Sequence, residues 1–201
     1  MYNLNDASFN ASEGKAVFNN GNAGVVENVT VSVKKKTAED KENAPDYKLV
    51  FTDANGGSCD MSFWYVTAAT EYSTIEEQVK KQGTKMKHVI HAIYGQDYQI
   101  PVNATNAKEL LDQSMKVIRD GLQNPAKFRV FANYGTNSSV KNYIQPRSWV
   151  PFIESANVPA TETRLKVGNL DAMARLDADT PNVSAPTAAA KAAATVDGDD
   201  W

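Results

Sequence analysis

The chain is 201 residues long, 42% hydrophobic and 22% charged, with a formal net charge of −3. That is room for one domain of ordinary size plus a tail, and too little for two packed domains and a linker. Cys59 is the only cysteine, which excludes an intramolecular disulfide and a thiolate metal cluster. No basic-then-apolar leader opens the sequence and no apolar run approaches the ~18 residues of a membrane span, so a cytoplasmic protein with no membrane partner is expected.

The net charge hides a division. Residues 171–201 hold six Asp against Arg175 and Lys191, whereas no acid lies between Asp120 and Glu154, a stretch carrying Lys127, Arg129, Lys141 and Arg147. A locally basic body with an acidic tail suits a polyanionic partner. The aromatics are divided too: none lies between Phe152 and Trp201, and a segment without large side chains does not extend a core.

Residues 1–22 are polar and rich in Asn and Gly, an irregular arm in which Phe9, Val17 and Phe18 are candidate anchors. From Gly24, β-branched Val25, Val29, Val31 and Val33 carry period-2 alternation, the signature of a strand. The strand runs into KKKTAEDKENAP, a solvated loop closed by Pro45. DYKLVFTD then sets Tyr47, Leu49 and Phe51 on one face and Lys48, Val50 and Thr52 on the other. Asn55-Gly56-Gly57 supplies the positive φ of a tight hairpin, and CDMSFWYVT returns with Met61, Phe63 and Tyr65 opposite Trp64 and Val66.

Two helices follow. In the first, Thr74 and Glu77 form a capping box, Ile75, Val79, Met86, Val89, Ile90 and Ile93 approximate a stripe that Gly83 weakens, and Gly95 closes it. In the second, Asn106 caps, Leu110, Leu111, Met115, Val117 and Ile118 give the apolar face, and Gly121 ends it. KFRVFANYG is the next strand, GTNSS a turn, and VKNYIQPRSWVPFIE a last strand broken by Pro146 and Pro151, hence at an edge or across a bulge. Beyond Glu154 one short docking segment in TRLKVGNLDAMARL precedes an Ala/Pro-rich stretch too poor in apolar surface to offset the entropy of ordering it.

Three strands, a helical insertion and two more strands is the order of the OB-fold, a five-stranded, partly open Greek-key barrel. A β-sandwich or jelly roll wants seven or eight strands. The expected class is mainly β (α+β): an arm (1–22), an OB-type domain (23–155), a linker (156–196) that is disordered, and an acidic tail (197–201).

Signals for catalysis are few. His88 and His91 lie three apart on a helix with no carboxylate or thiol to complete a metal set. There is no Gly-rich phosphate loop or nucleophile elbow. Asp53 and Asp60 flank a Gly turn, where acids are usually turn formers. No enzyme, metal or cofactor is expected. Binding signals are stronger, because a groove for single strands needs cations to track phosphates and flat side chains to stack bases. Lys34, Lys35 and Lys36 lead into the first loop and Lys48 follows it; Lys141 and Arg147 follow the last, with Arg129 on the strand between. Tyr47, Trp64, Tyr65, Tyr134, Tyr143 and Trp149 are the stacking candidates, their polar handles suiting an open groove. Phe51, Phe63, Phe128 and Phe131 are assigned to the core.

The terminus, Asp197-Gly198-Asp199-Asp200-Trp201, is an indole in an anionic setting at the end of a tether. With the plan of OB-type domain, low-complexity linker and acidic aromatic tip, the chain resembles the phage and bacterial OB-fold single-stranded DNA-binding proteins. The resemblance implies a protein that coats single-stranded DNA in phage replication and recombination within a bacterial host cell. Its tail, through Asp197, Asp199, Asp200 and Trp201, would recruit a polymerase, primase or helicase, with self-association left open. The alternative is a virion or assembly protein, a decoration or cargo module with a β-rich domain and a docking tail.

Overall fold

The computed structural model describes residues 16–124, 126–135, 143–171 and 173–174. Six strands, β1 (Gly24–Lys35), β2 (Tyr47–Thr52), β3 (Ser58–Phe63), β4 (Phe128–Tyr134), β5 (Ile144–Pro146) and β6 (Ile153–Ser155), form one antiparallel sheet. Its order is β3-β2-β1-β4-β5, with β6 also paired to β4. Helices α1 (Ile75–Tyr94) and α2 (Ala107–Gly121) lie between β3 and β4 in sequence, which makes the class α+β. The sheet is open: β3 and β5 approach within 8 Å between Cα atoms without sharing a ladder among the described residues.

β1 serves both halves of the sheet. Thr30–Lys35 pair with β2 and Gly24–Val29 with β4. Within the half paired to β4, Val26 faces Val130 but Val29 faces Phe128, so β1 carries one extra residue. Asn28 takes that bulge at φ 58, the left-handed region that Asn tolerates better than β-branched residues. The bulge reverses the phase of the strand: Val26 and Val29 both point inward, while Val25 is 39% exposed. A single unbroken alternation from Val25 to Val33 is thereby corrected.

The core gathers Val29, Leu49, Phe51, Phe63, Phe128 and Val130 from the sheet against Met86, Val89 and Ile90 of α1 and Leu111, Met115 and Ile118 of α2. Both helices start as their caps dictate. Thr74 Oγ1 accepts from the Glu77 N–H at 3.2 Å while Glu77 accepts from the Thr74 N–H at 3.0 Å, and Asn106 accepts from the Glu109 N–H at 2.9 Å. At the hairpin turn the Asp53 carboxylate accepts from the N–H groups of Asn19, Asn55 and Gly57. That ties the turn to the arm, where Phe18 is buried. Gly57 is obligatory there, since a Cβ would meet the Val17 carbonyl oxygen at 2.5 Å.

The last strand of the sequence reading is two strands. β5 and β6 line the same edge of β4, one beside Ala132–Tyr134 and the other beside Phe128–Val130. Between them residues 148–151 loop off the edge around Pro151, while the Arg147 N–H and the Phe152 carbonyl still bond Phe131. The packed domain also continues past residue 155. Residues 156–171 form a strap over the outer face of β4, with Leu165 buried and Asp171 ion-paired to Arg147 at 3.0 Å. The first part of the expected linker is therefore part of the folded body. Residues 175–201, including the acidic tip, lie outside the described residues.

Candidate nucleic-acid interface

With Tyr47, Leu49, Phe51, Met61 and Phe63 turned into the core, strand alternation turns Lys34, Lys48, Val50 and Asp60 outward. The loop after β1 folds onto this face. The Lys36 N–H donates to the Asp46 carbonyl at 2.9 Å, and the Lys36 ammonium donates to the Glu42 carbonyl. Together with Lys35, Thr37, Asp40, Pro45 and Cys59 these residues line a concavity of about 630 Å³. Four lysines face two aspartates there. The Asp40 carboxylate is taken by the Thr37 N–H and hydroxyl, at 2.7 and 2.9 Å, and these bonds hold its pKa below the usual carboxylate range. Asp60 pairs with Lys48 at 3.2 Å, each side chain about two-fifths exposed, so the pair is screened by water and worth about 0–1 kcal/mol. Burial pushes the Cys59 thiol up and keeps it protonated.

Two of the aromatic candidates are open to solvent, though neither lines this concavity, and Trp64 borders a crevice with Met86 of α1 and Leu110 of α2. Trp64, at the end of β3, is 50% exposed and Tyr143, at the start of β5, is 68% exposed. Five other candidates, Tyr47, Tyr65, Tyr134, Arg129 and Arg147, are corrected, because their polar atoms are spent within the fold. Tyr47 is buried and Tyr65 half-buried, and both hydroxyls donate to Asp112 Oδ1, at 2.6 and 2.7 Å. Burial raises the Asp112 pKa, but the bonds from Tyr47, Lys108 and Tyr65 outweigh it and hold the carboxyl down at about 2. Desolvation and the same carboxylate push the Tyr47 phenol up to about 12. These rings latch the hairpin to α2 and are not platforms. Arg129 is buried, bonded to Glu154 at 2.7 Å and to Glu27 at 3.2 Å. Arg147 is buried between Asp171 and the ring of Phe131, whose centroid is 4.2 Å away. Neither guanidinium reaches solvent to meet a phosphate.

Tyr134 is half-buried, and its hydroxyl donates to the Gly21 carbonyl at 2.6 Å, pinning the arm. Trp149 lines a different groove, against α1. Lys141 and the tail residues Asp197, Asp199, Asp200 and Trp201 lie outside the described residues. Sequence reading missed Asp112, since nothing local joins residue 112 to residues 47 and 65. It also passed over the lysines of α1, whose close spacing at 80, 81 and 85 was there to be read.

His88 is structural in its placement: its Nε2 accepts from the Phe152 N–H at 3.2 Å. Among the described residues no three His, Cys, Asp or Glu side chains gather as a metal site, and no helix is long and apolar enough to cross a membrane. The chain matches no protein-family model, no curated protein and no solved structure.

Proposed function

We propose that this chain binds single-stranded DNA, without altering it, across the outer face of β1–β3, as an OB-type protein of the phage and bacterial single-strand-binding kind. The observation that carries this reading is the 630 Å³ concavity bearing Lys34, Lys35, Lys36 and Lys48 on the hairpin face turned away from the core. An OB-type barrel takes its ligand on the β2–β3 face beside the loop joining strands 1 and 2. The order β3-β2-β1-β4-β5 and a bent β1 shared by both halves support such a barrel, with β3 beside β5 as the pairing that would close it.

In this reading Lys34, Lys36 and Lys48 contact phosphates from the floor and Lys35 from the rim. Trp64 and Tyr143 supply exposed rings for bases, each stack contributing about 1–3 kcal/mol. The tail, through Asp197, Asp199, Asp200 and Trp201, recruits the replication proteins that act on the coated strand. The test is a titration with oligo-dT at two salt concentrations, with and without Mg²⁺, following tryptophan emission and strand integrity. Quenching is expected, with an affinity that falls by about 0.7 log units per phosphate contact for each tenfold rise in salt, and with intact strands throughout. Flat emission at low salt overturns the reading. Removing residues 195–201 is expected to keep or raise DNA affinity while abolishing capture of the replication partner.

A further inference from the structure

A second cationic surface lies on α1. Lys80, Lys81, Thr84 and Lys85 meet Trp149 and Val150 across a groove of about 390 Å³. Trp149 is delivered there by the loop that leaves the edge of β4 between β5 and β6. Its ring is backed by Arg147, whose guanidinium lies 5.7 Å from the ring centroid and is itself locked by Asp171.

The groove carries a net positive charge, three lysines against one carboxylate. Among the described residues, no carboxylate pairs with Lys80, Lys81 or Lys85. Glu77, the one acid at the rim, is spent on the helix cap, accepting from the Thr74 N–H and the Ser73 hydroxyl at 3.0 and 3.1 Å. Burial, and then the neighbouring Lys81, hold the Lys85 ammonium below its ordinary pKa, a cost that an anion in the groove removes. Three cations around one flat ring is the chemistry of a nucleotide site, with the base on the ring and phosphates on the ammonium groups.

The helix that supplies these lysines is also tied to the segment that follows β3. Gln82 and Gln78 of α1 donate to the carbonyls of Trp64 and Ala68, both at 3.1 Å, so the helix is bonded to the segment that leaves β3 and carries the exposed indole. We infer that the α1–Trp149 groove is a second contact for the same single strand, engaged only when the strand is long enough to pass Trp64. The inference rests on the proposed function and extends it. A polynucleotide is favoured over an acidic peptide because a base can stack on the Trp149 ring while its phosphates meet the lysines, the same phosphate chemistry as at the β1–β3 concavity.

Strand length separates the two claims. The triple variant Lys80→Ala/Lys81→Ala/Lys85→Ala is titrated with dT oligomers of about five and about fifteen nucleotides, bracketing one OB-type site. Lys80 and Lys81 are exposed and Lys85 is half-buried, so thermal melting checks the fold of the variant, and Trp149→Phe serves as a second variant that keeps the packing. The expected result is unchanged affinity for the short oligomer and about a tenfold loss for the long one, with a salt slope smaller by about 1–2. Long-oligomer affinity and slope equal to wild type, with the short oligomer still bound, overturn the inference alone. No binding of either length by the wild type overturns the proposed function and this inference with it. If the lysine effect disappears in the chain lacking residues 195–201, the groove holds the acidic terminus and the inference is likewise overturned.

Discussion

The outer faces of β1–β3 and of β4 both carry cations, Lys34 and Lys48 on one and Arg129 on the other, and they end in opposite states. On β1–β3 nothing described lies over the strands except their own loop, and Lys34, Lys48 and Asp60 remain in water. On β4 the strap of residues 156–171 covers Arg129, Phe131 and Asn133, and every one of them is buried. The cations under the strap survive because each meets a carboxylate, Arg129 with Glu154 and Arg147 with Asp171. An arginine read as a phosphate contact from its strand position is thus decided by a segment about 25 residues downstream.

The largest consequence falls on the covered side. Arg129→Ala leaves Glu154, only 4% exposed, as a buried charge held by Thr163 and the Arg164 N–H alone. Breaking such a pair costs about 3–5 kcal/mol, so urea denaturation is expected to show severe loss of stability. Lys48→Ala, on the open side, is expected within about 0.5 kcal/mol of wild type. Equal effects from the two substitutions would erase the distinction between the faces.

Acid acts where Arg164 of the strap comes near α1. Desolvation, then Arg164 of the strap, with His91 and Arg147 adding to it, holds His88 at about 4 against 6.5 in the unfolded chain. The unfolded chain therefore takes up a proton that the fold refuses. The stability His88 contributes is complete above about pH 6.5 and is lost as pH falls through about 4. Thermal melting across that window is expected to fall more steeply for wild type than for His88→Gln; parallel curves would place no pH dependence on this histidine.

On the open side the reagent is salt. Lys34→Ala/Lys36→Ala/Lys48→Ala is expected to leave the melting temperature near wild type and lower oligo-dT affinity about tenfold or more at low salt, with a shallower salt slope. Unchanged affinity would remove the lysine concavity from the strand path.

What the sequence made legible was local. The caps of both helices, the β2–β3 hairpin and the inward rings of Phe51, Phe63 and Phe128 all follow from period and turn chemistry, and all are present. What it hid depends on contacts distant in sequence. Tyr47 looked like an open platform because the carboxylate that takes its hydroxyl is Asp112, 65 residues away. Phe131 was read as core and is buried, but on the other side of β4, under Arg147. The phase change at Asn28 was invisible because a one-residue bulge leaves composition and β-branching untouched. Of the thirteen proposed DNA contacts, Lys34, Lys36 and Lys48 line the concavity, Lys35 sits on its rim and Trp64 and Tyr143 stay open. The two arginines failed for the reason the strap supplies.

The smallest effect discriminates within the open face. Asp60 lies 3.2 Å from Lys48 and competes with any phosphate for that ammonium. Asp60→Asn removes the competitor and one negative charge from the strand path, so oligo-dT affinity is expected to rise about threefold at low salt, with the gain vanishing near 1 M, where screening reaches about 3 Å. Asp40→Asn removes the same charge from the same concavity but weakens both bonds from Thr37 that shape the loop after β1. If charge alone governed binding, the two variants would gain equally. A gain for Asp60→Asn with none for Asp40→Asn would show that the strand needs the loop held in place as well as the lysines beneath it.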